Sequence, residues 1–335
     1  MLRILHDTKI DFIRLWRWAL VFILLLILPA GAMIIASGFN YSIEFTGGTL
    51  MQVQFRQPVD IGEVRATLSD AGLPGVELST FGSQRELIIR AQDTREVQQQ
   101  ASGAESIAHR VSQALTAKFG NGSYTMVRTE AVGPKVGGEL RRQASVALLI
   151  AFGLTLVYLA WRFEWRFGLA AVLATMHDII ATLAFMKYMN LEISLFVVGA
   201  ILTVIGYSMN DKVVVFDRVR ENLRSTKGET LYQLLNRSVN ETLPRTVMTG
   251  STTLACLLAL LIFGGEVIRP FAWVLTFGII IGTFSSIYVA SPLLLLIERR
   301  WPRPAGQAIA KGRVRLPREQ AESERGKKAP VTAGR

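Results

Sequence analysis

Residues 193–216 read ISLFVVGAILTVIGYSMNDKVVVF. The first eighteen of these positions carry no charge; then Asp211 and Lys212 stand side by side, and the run stays apolar to Phe216. About 20 apolar residues suffice for a helix to cross the hydrocarbon core of a bilayer. An ionisable pair inside such a run is costly unless it faces protein or a water-filled cavity. This segment therefore predicts both a membrane span and a polar centre within it.

Further uncharged stretches lie on either side, at 18–43, 143–161, 246–265 and 270–297. A third span at 167–187 is interrupted by His177-Asp178. The average composition decides little, because half of the chain is hydrophobic, as in many globular proteins. The clustering decides more, since a surface helix of a soluble domain keeps a polar face. Six spans are predicted at 18–38, 143–161, 167–187, 193–216, 246–265 and 270–297. The first is read as an anchor, because its apolar run is longer than that of a cleavable leader.

Short-loop charges set the expected orientation. Arg3, Lys9, Arg14 and Arg17 precede the first span, Arg162 and Arg166 lie between the second and third, and Arg218, Arg220, Arg224, Lys227 and Arg237 lie between the fourth and fifth. The opposite side offers Lys187 and Arg269. Residues 1–17, a loop at 217–245 and the tail at 298–335 are expected in the cytoplasm, and 39–142 outside; Asp217, Arg218, Arg220, Glu221 and Asn222 continue the fourth helix into the cytoplasm as a solvated end of mixed charge. Of the net charge of +11, +8 falls from Arg299 onward, so the basic balance is a tail property that suits an anionic membrane surface better than a nucleic acid. Mixed charge with Pro and Gly predicts disorder from Pro302.

The external segment has the pattern of a small α+β domain. Alternation predicts strands at 49–55, 76–80, 86–90 and 123–132, with a turn at Phe81-Gly82-Ser83 and a loop at 92–102. Asp60 and Glu63 resemble a capping box opening a helix, and Ile107, Val111, Leu115 and Phe119 form the stripe of a second. The order β-α-β-β-α-β predicts a ferredoxin-like arrangement. The paired glycines in Glu44-Phe45-Thr46-Gly47-Gly48-Thr49 fit either a special backbone turn or a plain junction.

Asp211 is the first candidate for function. Burial disfavours the charged form of a carboxylate, which suits it to exchanging a proton or another ion; a static ion pair fixing helix register is the competing reading. Lys212 points about 100° away round the helix and is expected to reach toward the cytoplasmic interface. Arg245, which opens the fifth span, is the expected counter-charge, since an arginine cannot give up its proton. With Thr249, Thr252, Thr253 and Cys256 it forms one polar-to-small stripe that either lines a hydrated path or packs against another helix. Asn210, His177 and Asp178 are candidate accessory polar residues; His177 and Asp178, about 100° apart on their helix, either extend a relay or accept interhelical hydrogen bonds. One cysteine and three histidines make neither a disulfide nor a Cys/His metal cluster. With no nucleophile–base motif, phosphate loop or dinucleotide fingerprint, neither an enzyme nor a cofactor is expected, and any transport draws on an ion gradient or a partner.

The chain resembles the SecF family of bacterial protein-export membrane proteins. The similarity runs over about residues 15–298 and rests on Glu44-Phe45-Thr46-Gly47-Gly48-Thr49, Val132-Gly133-Pro134 with Val136-Gly137 and Glu139-Leu140-Arg141, His177-Asp178, Ile205 to Asn222, Thr242-Leu243-Pro244-Arg245-Thr246, and Phe263-Gly264-Gly265. It departs at Glu44, where Asp is common, and at Lys212, where a small or hydroxyl residue often stands. The resemblance implies half of an RND-type transporter in the inner membrane, with six helices and a ferredoxin-like periplasmic domain. It implies pairing with SecD beside SecYEG, SecA-driven preprotein and YajC, powered by the proton motive force or, in some organisms, sodium. Asp211 and Arg245 match positions tied to proton coupling. Two other functions remain open: a stand-alone RND-like exporter of hydrophobic compounds, and a passive scaffold of the translocon. Such exporters usually carry two six-span halves with large external domains, and this chain has one half and a small domain.

Overall fold

Among the described residues, six helices are long and apolar enough to cross a membrane. The computed structural model describes residues 8–73, 75–91, 103–225 and 229–301. The expected loop over 92–102 and the tail from Pro302 lie outside the described residues. The membrane helices are α1 (Trp16–Ser37), α5 (Pro134–Arg162), α6 (Trp165–Tyr188), α7 (Leu195–Ser225), α8 (Leu231–Phe263) and a last one that begins as α9 (Gly265–Ser285) and ends as α10 (Ser291–Arg300). A π-helical turn, Ser286–Ala290, joins α9 to α10.

The helices α6, α7 and α9–α10 form the centre of the bundle, with 50–61% of their most apolar window buried. In α1, α5 and α8 the share is 6–17%, so these three keep most of their apolar surface outward. The centre is close-packed because small residues face it. A Cβ on Gly278 of α9 would overlap the Val204 side chain of α7, and one on Gly282 would stand 3.1 Å from Ser208 Cβ.

Two helices overrun their apolar windows. The segment 217–245, expected as a cytoplasmic loop, is helical over most of its described length, as the end of α7 and the start of α8. Several of its charges, though partly exposed, pair between these two extensions. Arg218 Nε donates to Glu241 (2.6 Å), and Asn222 Nδ2 to the same carboxylate (2.7 Å). Thr230 and Gln233 make a capping box at the start of α8. Residues 8–15 lie along this start, where Tyr232 and Asn236 donate to Asp11 (2.5 and 2.6 Å) and Asn240 bonds both ways with the Ile10 backbone.

The domain between the first two membrane helices is ferredoxin-like. Its strands β1 (Gly48–Phe55), β2 (Glu77–Phe81), β3 (Ser83–Ala91) and β4 (Tyr124–Val132) form an antiparallel sheet in the order β2-β3-β1-β4. Met51, Val53, Phe55, Leu87 and Ile89 point to one face, where α3 (Ile61–Asp70) adds Val64 and Leu68 and α4 (Gly103–Phe119) adds Val111 and Leu115. The expected capping box at Asp60 is only half made. Asp60 accepts from Gly62 N (3.2 Å), but Glu63 turns to Lys118 of α4 (3.3 Å).

A short helix, α2 (Ile43–Thr46), joins α1 to this domain. Gly47 and Gly48 follow it with φ of +75° and +127°, a backbone that side chains disfavour. A Cβ on Gly47 would meet Pro134 Cα at 2.8 Å, and one on Gly137 would meet Gly47 N at 2.9 Å. The paired glycines thus make a special turn against the start of α5. Glu44 Oε2 accepts from Leu195 N at the start of α7 (2.6 Å) and from Ser42 Oγ (3.3 Å), a favourable place for a negative charge. The domain is tied to the bundle again where Arg90 pairs with Glu192 and where Ile193 bonds with Asn40 and Ser42.

Candidate functional site

Two charged centres lie side by side in the middle of the bundle, one on each side of α7. Asp211 is 7% exposed. One carboxylate oxygen accepts from Thr246 Oγ1 on α8 (2.9 Å), the other from Ser286 Oγ in the π turn (2.9 Å). A π turn adds a residue to the helical repeat and rotates the helix beyond it, a distortion common at functional sites. Both bonds come from hydroxyls, which can donate or accept. Such partners serve the carboxylate and the protonated acid alike.

The second centre lies between α7 and α6. Lys212 and Asp178 are both fully buried, with Lys212 Nζ 2.6 Å from Asp178 Oδ2. Lys212 also donates to Ser208 Oγ and to the Ser208 carbonyl (3.4 Å), while Ser208 Oγ donates to Asp178. His177 Nδ1 lies 2.8 Å from Asp178 Oδ1, and its Nε2 is buried without a partner. A neutral imidazole with its hydrogen on Nδ1 fits this geometry, because a second N–H would be buried unbonded. Lys212 therefore does not extend to the cytoplasmic interface as its position near a helix end suggested. The 100° between adjacent residues sends Asp211 toward α8 and α9 and Lys212 toward α6.

Arg245 precedes Thr246 on α8, yet its side chain is exposed and no ion pair joins it to Asp211 in this structure. Thr249 and Thr252 are exposed on the same helix and Thr253 is half-buried. The Thr252 and Thr253 hydroxyls bond to carbonyls of their own helix at 2.9–3.0 Å. Asn210 is exposed too, in a groove of about 370 Å³ lined by Thr155, Tyr158, Gly206 and Met209 among others. The structure therefore gathers Asp211, Asp178 and His177 in the interior and leaves Arg245, Asn210, Thr249 and Thr252 on the outer faces of α7 and α8. Sequence reasoning missed Thr246, Ser286 and Ser208 as partners. Their one visible signal is a hydroxyl inside an apolar run, which packing alone also explains.

Comparison with known proteins agrees with this architecture. Residues 111–300 match the family described as protein export membrane protein SecD/SecF, C-terminal, and residues 32–59 match the SecD/SecF GG motif. The protein translocase subunit SecF of Gemmatimonas aurantiaca is 58% identical over 314 residues, which span 93% of this chain and 94% of that one. SecDF of Thermus thermophilus is 38% identical, and the match spans 88% of this chain but 40% of the longer relative. The crystal structure of Thermus thermophilus SecDF superimposes with a TM-score of 0.78 at 37% identity, over 90% of this chain and 40% of that one. SecDF in a super-membrane-facing form gives 0.64 at 35% identity.

Proposed function

The chain belongs to the SecD/SecF family of protein-export membrane proteins, subunits of the Sec machinery, and we propose that it couples proton movement through Asp211 to the outward movement of exported polypeptides. Protein translocase subunits of the SecF type match it along nearly their whole length. A SecD half is the partner, since the Thermus thermophilus relative named SecDF is one longer chain of which this one matches a part. The weakly buried helices α5 and α8 and the exposed Arg245 offer that half a polar-edged surface. SecYEG supplies the channel, with YajC beside it, and SecA starts the substrate on its way. Both termini lie in the cytoplasm and the ferredoxin-like domain in the periplasm, in line with the short-loop charges.

The observation that carries this reading is the setting of Asp211: a buried carboxylate between two hydroxyls, with no cation among the described residues bonded to it. Hydroxyl partners keep both protonation states satisfied, which a group that loads and unloads a proton requires. Arg245 cannot lose its charge and acts as the fixed cation that the anionic form attracts. Protonation from the periplasmic side releases that attraction, and proton loss to the cytoplasm restores it. One charge crossing 100 mV is worth about 2.3 kcal/mol, ample for a switch between two helix arrangements. The moving element is the external domain, which holds and releases the unfolded chain.

The test is gradient-stimulated preprotein export in inverted vesicles holding this chain and its SecD half. Asp211→Asn keeps the hydrogen bonds but cannot exchange a proton, so the stimulated component falls about tenfold or more, while export driven by SecA alone persists. Stimulation that survives in Asp211→Asn overturns the assignment and favours a passive scaffold.

A further inference from the structure

The second buried centre has a chemistry different from that of Asp211. Asp211 is met by hydroxyls alone, whereas Asp178 is met by the Ser208 hydroxyl and by an ammonium, which has three hydrogens to donate and no lone pair to accept with. All three are used, on Asp178 Oδ2, Ser208 Oγ and the Ser208 carbonyl. A protonated Asp178 would leave the fully buried ammonium without its anion, whatever the Ser208 hydroxyl does.

We propose that Lys212 is an internal counter-ion that keeps Asp178 anionic, so that of the neighbouring buried carboxylates Asp178 and Asp211 only Asp211 exchanges a proton. Lys212 and Asp178 are then positioning residues. They lock α7 to α6 and present a neutral pair to the rest of the bundle, which leaves Asp211 as the one acid whose charge changes during a cycle. Charged and titratable groups face the pair from several sides. His177 and Asp178 come from α6 and Asp211 from α7 itself. Arg245 of α8 lies beyond Asp211, and α9 and the π turn bring the hydroxyls of Ser285 and Ser286, bonded to Ala174 O and to Asp211. His177 completes the arrangement. Bonded to the Asp178 oxygen that Lys212 does not use, it holds the carboxylate plane in place.

The functional meaning of this lock rests on reading Asp211 as the exchanging group, but the lock has a signature of its own. A protonated carboxylic acid shows a carbonyl stretch in the infrared that a carboxylate lacks. The experiment records infrared spectra near neutral pH for the full complex with its SecD half in lipid, comparing wild type, Lys212→Met, and Lys212→Met with Asp178→Asn. Methionine fills much of the lysine volume without the charge. Lys212→Met is expected to gain one protonated-acid band, which disappears in the double variant. The pH profile of gradient-stimulated export, read on the same three proteins, should gain a second titrating step in Lys212→Met. The double variant should return to the wild-type profile, with a rate within about threefold of wild type, because it buries no unpaired charge.

A Lys212→Met spectrum without a new acid band overturns the proposal. So does a double variant that exports no better than Lys212→Met, since the pair would then take part in the exchange itself. Failure of the Asp211 reading is separate. Stimulated export that survives Asp211→Asn removes the coupling role and leaves the infrared result to decide the lock.

Discussion

Thr246 and Ser286 reach Asp211 from opposite sides, across sequence separations of 35 and 75 residues. Asp211 itself was legible, because a charge inside an apolar run is conspicuous; its partners were not, because a hydroxyl in a membrane helix can satisfy itself on its own backbone. Arg245 was expected beside Asp211 and instead faces outward, which a linear reading cannot distinguish. Thr246→Val leaves one buried oxygen of Asp211 unbonded. It is expected to cost about 1–3 kcal/mol, read as a lower thermal midpoint of the purified complex. Asp11 makes a prediction about pH. Burial pushes its carboxyl up, but hydrogen bonds from Tyr232 and Asn236 outweigh that and hold it below the usual range. A depressed value contributes stability above the unfolded value of about 3.9, and that stability is lost as pH falls through the folded one. The hold of residues 8–15 on α8 is thus intact at neutral pH and fails only in acid. Between pH of about 7 and 3, Asp11→Asn should show a shallower fall in thermal midpoint than wild type.

Among the elements, the six long helices and the strand order were readable from hydrophobic period alone, since a span of about 20 apolar residues and an alternating strand leave different traces. The extension of α7 past the membrane was readable too, from the mixed charge that follows its apolar run, while that of α8 was not. The charges at the end of α7 read as a solvated helix end until Arg218, Asn222 and Glu241 are seen to bond across the two helices. The signal was present in Thr230 and Gln233, whose spacing is that of a capping box. The junction of α2, β1 and α5 depends on backbone shape. Gly47 has φ of +75°, and a Cβ there would press on Pro134 Cα at 2.8 Å. Gly47→Ala therefore meets a disfavoured backbone and a clash with another backbone, at a cost of about 1–3 kcal/mol. Faster limited proteolysis near residue 47, with unchanged cleavage inside the sheet domain, is the expected result.

At the scale of the whole molecule, the external domain and the membrane core meet at several points. Arg90 pairs with Glu192, Tyr41 bridges to Ile193, and Glu44 bonds Leu195 N. Glu192→Ala should raise hydrogen exchange at 190–195 while leaving the sheet protected, since the domain core of Met51, Leu87 and Leu115 is separate from that contact. The bond from Glu44 has a wider consequence. It grips the first turn of α7, and Asp211 sits on the same unbroken helix, about 24 Å further along at the usual rise per residue. A stiff rod held at both ends passes an axial push or a twist in either direction. Coupling between sites is reciprocal, so if a proton at Asp211 moves the domain, tension on the domain must change how readily Asp211 takes up a proton. An exported chain that resists would then act as a brake on proton flow, and a slack one would release it.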